Sequence, residues 1–324
     1  MTLTIGTQEK KQQSNSSGLM NRNFNPEISA TGNIKSVSRD TAGCNTAANL
    51  KFHYFNYLGL EKDPFSTSPD PYYFYPLSQH QSCLNYLEIA IRLKRGANLI
   101  LGEIGTGKTT LCRKLLQRID GELFIEPHLM LNPPNVSEKE FLGLLADFMG
   151  VDVKGSSCQD ISDSIKNHLF LKGVEEGKTI VLIIDEAQKL SFEAIEGLRG
   201  LLNYETNEFK LLQLVLLGQL QLKDKLRLMP NFVDRLNYRM QLNPLDFKEC
   251  CRLIKFRLEK SGITTSSSSV FTGAAVKAIH ELSGGYPRKI CMLAHKTLEQ
   301  LIVKGRRRAD DKFINEVYNR DIII

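Results

Sequence analysis

The sequence predicts an α/β fold: a parallel sheet flanked by helices, followed by a smaller all-α domain. Three observations predict it. Short apolar runs alternate with amphipathic helical stretches between Asn98 and Leu242. Those runs are apolar throughout, as strands covered on both faces must be. From Pro244 onward the pattern is helical alone.

Bulk properties exclude several classes. The longest apolar run, Thr179–Ile184, has the length of a buried strand and falls far short of the ~20 residues of a membrane span. The N-terminus has no apolar signal core. The seven cysteines are odd in number and form no C-x-x-C pair. They read as thiols in a reducing compartment, and a cytoplasmic location with no membrane span is expected. The net charge is +6, and it is uneven. Residues 246–324 hold fifteen Lys/Arg against nine Asp/Glu, with Arg306-Arg307-Arg308 as the densest run. A solvated helix end accounts for such a run; contact with nucleic-acid phosphates is the alternative.

Residues 1–50 are rich in Ser, Thr, Asn, Gln and Gly without periodicity, and read as a disordered polar tail. Residues 51–243 are the expected α/β domain and 244–324 the helical one. Prolines and aromatics in Asp63-Pro64-Phe65 and Ser68-Pro69-Asp70-Pro71-Tyr72-Tyr73-Phe74-Tyr75 exclude a regular helix and predict an extended strap. Ser78 is the expected cap of a helix carrying Leu84, Leu87 and Ile91 on one face and ending at Arg95-Gly96. Asn98–Leu101 is the first strand, and Leu111–Leu116 is helical. Leu123-Phe124-Ile125 opens a second strand. Ser137 and Glu140 form a capping box for the next helix. Ile161, Ile165 and Leu169 mark another. Thr179–Ile184 is the third strand, and Ser191 opens the helix after it. Leu211–Leu217 is the fourth strand, Leu220–Leu228 is helical, Phe232–Leu236 is a short helix, and Tyr238–Leu242 is the last strand. Beyond it, helices are expected over Phe247–Lys260, Gly273–Leu282, Arg288–Val303 and Asp310–Asn319, with Ser266–Ser269 as a low-complexity loop.

The chemistry centres on Gly102-Glu103-Ile104-Gly105-Thr106-Gly107-Lys108-Thr109-Thr110, which fits G-x-x-x-x-G-K-[ST] between a strand and a helix. Such a loop turns backbone N–H groups around phosphate oxygens and adds a helix N-terminus. Lys108 would reach the β- and γ-phosphates, and the Thr109 hydroxyl would ligate Mg²⁺. The third strand ends in Asp185-Glu186-Ala187-Gln188, about 75 residues after the loop. Asp185 would hold the metal, directly or through water, and Glu186 would orient the attacking water. Gln219 ends the fourth strand, where a polar side chain can sense the γ-phosphate. Arg235 and Arg239 lie beyond it; either could act in trans on a neighbouring subunit, and Arg235 is favoured as a residue of the helix before the strand. Arg288, in Gly284-Gly285-Tyr286-Pro287-Arg288, is expected in the first turn of a helix facing the phosphates. The strap lies beside the nucleotide base or serves plain aromatic packing. Leu282-Ser283-Gly284-Gly285 imitates an ABC-transporter signature, but that loop precedes the strand-end acids and this one follows them.

In order, these motifs resemble an AAA+ ATPase. With Tyr57-Leu58-Gly59-Leu60, Asp63-Pro64-Phe65, Ile184-Asp185-Glu186-Ala187-Gln188, Leu216-Leu217-Gly218-Gln219 and Gly285-Tyr286-Pro287-Arg288, the resemblance narrows to the ExeA/GspA (general secretion pathway protein A) family. It covers roughly Phe52 to Leu301. It implies an ATPase core with a helical lid, oligomerising around ATP and Mg²⁺. By resemblance, Lys108 and Thr109 are Walker A residues, Asp185 and Glu186 Walker B, Gln219 sensor 1 and Arg288 sensor 2. Secretion members of the family continue into a membrane span and a peptidoglycan-binding domain, for which these residues hold no counterpart. Three functions follow as expectations. One is an ATP-hydrolysing motor or switch assembling a secretion or pilus apparatus with a protein partner. The second is a DNA-associated regulator of the transposition type binding duplex DNA. The third is a nucleotide-gated scaffold, which an intact Glu186 argues against.

Overall fold

Every strand of the sheet is parallel, so each must be followed by a crossover, and the helices of those crossovers cover both faces. The computed structural model describes residues 56–66, 71–263 and 270–321. The 1–50 tail, Ser68–Asp70 of the strap and the Ser266–Ser269 loop lie outside the described residues. The sheet helices and strands run α1 (Ser78–Arg92), β1 (Ala97–Gly102), α2 (Lys108–Ile119), β2 (Ile125–Leu131), α3 (Glu138–Phe148), α4 (Cys158–Phe170), β3 (Thr179–Asp185), α5 (Phe192–Leu202), β4 (Leu212–Gly218), α6 (Gln221–Arg227), α7 (Pro230–Val233) and β5 (Leu236–Leu242). Four helices follow: α8 (Phe247–Lys260), α9 (Gly273–Ser283), α10 (Pro287–Val303) and α11 (Asp311–Asp321).

The strand order is β2-β3-β4-β1-β5. Every residue of β1, β3 and β4 is buried, which is why these strands read as largely apolar runs; Asn98 and Gln213 are buried polar exceptions, each hydrogen-bonded to backbone. Alternate side chains serve opposite cores. Leu99, Leu182 and Leu214 join Phe141, Ile165 and Leu198 on one face. Ile100, Val181 and Val215 join Leu84, Leu111 and Leu115 on the other. β1 sits between β4 and β5, whereas the chain leaving it through α2 crosses to β2 at the far edge. Winding reverses there, and the carboxyl ends of the strands at such a point form a crevice.

The later helices make a third core. Leu245, Ile254, Ile279, Ile290, Leu298 and Phe313 pack with Leu60, Phe65 and Leu77 from ahead of β1. The Phe65 ring meets Phe271 edge-on at 6.0 Å. The leading segment is therefore anchored on the helical end of the chain.

Four local expectations change. Leu77, not Ser78, is the N-cap of α1; the Ser78 hydroxyl instead donates to Glu249 on α8 at 2.9 Å. That helix also stops at Arg92, because Lys94 takes a left-handed φ of 51°. β2 begins at Ile125, and Leu123 and Phe124 before it are exposed. The short helix after Pro230 closes at Val233, so Arg235 lies in the turn before β5 and not on the helix. By contrast, Ser137 with Glu140 does form the capping box.

Candidate functional site

β1 ends at Gly102, and the chain turns through Gly105 (φ 85°) and Gly107 (φ 97°) into α2. Left-handed φ at two positions is what glycine permits at no steric cost. Space matters as well. A side chain on Gly102 would come within 2.6 Å of the Thr106 hydroxyl. Lys108 opens α2 and folds back, donating to the carbonyls of Gly102 at 2.8 Å and Glu103 at 3.0 Å. Burial pushes its pKa below the usual lysine value, against the opposing charges of Glu186, Asp185 and Glu103.

β3 delivers the acids. Asp185 is buried, and its Oδ2 accepts from the Thr109 hydroxyl at 2.7 Å. Glu186 takes a left-handed φ of 59°, which turns the chain off the strand. Its Oε2 accepts from Gln188 at 2.6 Å and from Gln219 at 3.2 Å. Gln188 also accepts the Gln219 backbone N–H at 3.0 Å. Two strand ends are thereby joined through one carboxylate.

The helical end closes the site from the other side. Pro287 occupies the first turn of α10, where its missing N–H leaves nothing unpaired. The backbone N–H of Arg288 donates to the Gly105 carbonyl at 3.1 Å. A cavity of about 350 Å³ results. Ile104 through Thr110, Glu186, Gln219 and Arg288 line it, with Tyr73, Phe74 and Tyr75 of the strap opposite. Of the residues expected in the site, Gly102, Glu103 and Asp185 are not part of the lining; Gly102 and Asp185 are buried and Glu103 is exposed.

Arg235 and Arg239 are elsewhere. Arg235 precedes Leu236, which pairs with Ala97 at the amino end of β1, so it lies at the end of the sheet away from the loop. Arg239 is on β5 opposite Leu99, and its guanidinium donates to the Val233 carbonyl at 2.8 Å. It borders a second cavity of about 460 Å³ beside α6 and α7.

Two lining residues carry no local signal in the sequence. His80 on α1 reaches the Thr106 carbonyl. Arg257 on α8 donates to the carbonyls of Pro64 and Ser66 and lies over the Tyr73 ring. Gln188 is outside the lining but holds Glu186. Tertiary packing brings His80 and Arg257 to the site, whereas Gln188 follows Glu186 by two residues.

The site is thus a glycine-rich loop between strand and helix, a buried strand-end acid bonded to a threonine that follows the loop, and a helical cover. Residues 91–226 match the AAA domain model. Over those residues the chain is similar to the AAA domain family. It is similar to general secretion pathway protein A of Aeromonas hydrophila, with 36% identity over 79% of this chain and 46% of that protein. An uncharacterized HTH-type transcriptional regulator of Methanocaldococcus jannaschii is 27% identical over 43% of this chain and 34% of its own length. The chain thus spans half or less of these relatives. Among solved structures, Cdc6p from Pyrobaculum aerophilum superposes with a TM-score of 0.56 at 15% identity, over 78% of this chain and 67% of that one. The Thermotoga maritima RuvB Holliday junction branch migration motor gives 0.51 at 18%, over 75% and 68%. At such identities the likeness is one of fold.

Proposed function

We propose that the chain binds ATP in this cavity and hydrolyses it to ADP and phosphate, as an AAA+ switch for assembling a secretion or pilus apparatus. The observation that carries the reading is Glu186. Its carboxylate lines the same cavity as the phosphate loop and is held there by two amide donors.

The division of labour follows from position. Backbone N–H groups of the loop and the Lys108 ammonium take the β- and γ-phosphates. Thr109 Oγ1 and Asp185 Oδ2 are hard oxygen donors, the set that Mg²⁺ takes beside phosphates, and these two residues would hold it. When bound, Mg²⁺ neutralises developing charge on the phosphates. Glu186 orients a water on the γ-phosphorus. That water gives a proton to the Glu186 carboxylate and forms the new P–O bond as the bond to the β–γ bridging oxygen breaks, and ADP leaves. Gln219 holds the Glu186 carboxylate in register, and Arg288 adds positive charge from α10. The helical region 244–324 acts as the lid that brings it.

Arg235 and Arg239 face away from their own cavity. A homo-oligomer would bring one of them to a neighbour's γ-phosphate; the Arg239 guanidinium is already held by the Val233 carbonyl, which favours Arg235. The secretion reading rests on the similarity to general secretion pathway protein A. A DNA-associated regulator is the second reading. Arg306, Arg307 and Arg308 are exposed after α10, although Arg306 and Arg307 lie over the rings of Phe313 and Tyr57. Among the described residues no helix is long and apolar enough to cross a membrane.

Steady-state hydrolysis by the full chain, with and without duplex DNA and beside Lys108→Ala, tests the reading. Lys108-dependent hydrolysis indifferent to DNA supports the secretion role. Stimulation by DNA that falls steeply with salt supports the second reading. Absence of hydrolysis with ATP still bound contradicts both.

A further inference from the structure

Helix α1 sends one polar side chain beneath the phosphate loop. His80 is 3% exposed, and its Nε2 lies 2.9 Å from the Thr106 carbonyl oxygen. A carbonyl only accepts, so Nε2 carries the hydrogen. Nδ1 is then a bare acceptor, and it is buried without a hydrogen-bond partner among the described residues. Burial pushes the His80 pKa below its ordinary value, against the Thr106 bond and the charge of Glu249, which keeps the ring neutral. A buried nitrogen left unpaired weakens the fold. Phenylalanine or leucine would fill the same space without that cost, so packing alone does not account for the histidine.

The contact has a direction. In a trans peptide the C=O and the following N–H point opposite ways. Whatever fixes the Thr106 carbonyl outward therefore fixes the Gly107 N–H inward, toward the cradle. Other carbonyls of the loop are tied too. Lys108 holds those of Gly102 and Glu103, and the Arg288 backbone N–H holds that of Gly105. Lys108 must exchange its bonds for a phosphate, and α10 belongs to the region proposed to move. His80 belongs to neither. Its ring also rests on the loop. A Cβ on Gly107 would stand 3.1 Å from Nε2, and Phe74 meets the ring edge-on at 6.3 Å.

We propose that His80 is a positioning residue for nucleotide binding, whose Nε2–H locks the Thr106–Gly107 peptide with its N–H facing the phosphates. The inference rests on the nucleotide reading of the cavity. It concerns a residue outside the loop motif and the strand-end acids, and it predicts an effect on affinity rather than on the chemical step.

The test is equilibrium binding of a fluorescent ATP analogue to the full chain, with steady-state kinetics beside it. His80→Phe keeps the ring and removes the donor; its affinity and 1/KM should fall about tenfold, with kcat at saturation within about twofold of wild type. His80→Gln keeps a donor at similar reach and should recover to within about threefold of wild type. His80→Phe binding as tightly as wild type would overturn the proposal, as would His80→Gln binding no better than His80→Phe. If His80→Phe does not fold, His80→Asn replaces it. Its shorter amide does not reach the carbonyl, and affinity equal to that of His80→Gln would overturn the proposal. Wild-type chain that binds no nucleotide removes the underlying reading, which separates that failure from failure of His80 alone.

Discussion

Thr109 donates its hydroxyl hydrogen to Asp185 at 2.7 Å, joining the first turn of α2 to the end of β3 across 76 residues of sequence. The sheet thereby brings together the two oxygen groups proposed to hold Mg²⁺. Thr109→Val keeps the shape and removes one oxygen donor. The Mg²⁺ concentration for half-maximal hydrolysis should rise about tenfold or more. A titration of activity against Mg²⁺ reads it directly.

Gln188 couples Glu186 to the end of β4, since it donates to the carboxylate and accepts from the Gln219 N–H. Gln188→Ala removes both contacts and leaves Glu186 on the Gln219 amide alone. The expected result is a kcat lowered by about tenfold with KM for ATP nearly unchanged, because only the water-orienting acid loses its support. Equal changes in kcat and KM would place Gln188 in binding instead.

Asp63 of the leading segment lies 3.2 Å from His295 on α10. The Asp63 bond and charge raise the His295 pKa above its usual 6.5. Burial works to raise the Asp63 pKa, but the bonds from His295 and Phe65 outweigh it and the net shift is below 3.8. A raised histidine stabilises fully below its unfolded pKa and loses that contribution as pH rises through the folded value. A depressed carboxylate stabilises above its unfolded pKa and loses it as pH falls through the folded value. The pair therefore contributes fully between about pH 4 and 6.5. Asp63→Asn should lower stability by about 1 kcal/mol at pH 6, with the difference shrinking toward pH 9. Urea unfolding at the two pH values measures it.

Gly285 has φ 75°, and a side chain there would meet the Leu245 carbonyl oxygen at 2.4 Å. That contact is backbone and cannot swing aside. Gly285→Ala should cost about 2 kcal/mol or more and displace the start of α10, weakening nucleotide binding with it. A lowered melting temperature with unchanged affinity would show that Arg288 is held by other contacts.

Much of this was legible in the chain because it is written locally. β3 from Ile180 to Ile184 and most of β4 are apolar since both faces are covered, and the glycine-rich loop announces itself between strand and helix. Ser137, Ser157 and Asp246 cap their helices through contacts three residues away. What the chain hides is tertiary. Ser78 has the chemistry of a cap, yet Glu249 on α8 claims its hydroxyl. His80 lies 26 residues before its partner Thr106 and looks like any helix residue. Arg257 reads as part of an amphipathic pattern until α8 turns it toward the strap. The strap packs through Phe65, while Tyr73, Phe74 and Tyr75 line the cavity, where a contact with a nucleotide base is a proposal.

The most direct test compares wild type with Glu186→Gln under saturating ATP and Mg²⁺, measuring bound nucleotide and turnover on the same samples. Glu186→Gln should hold ATP with affinity within about threefold of wild type while turnover falls at least about a hundredfold. Turnover that survives the substitution, or wild-type chain that binds ATP and never turns it over, would contradict a water-orienting role for Glu186 and the hydrolytic function built on it.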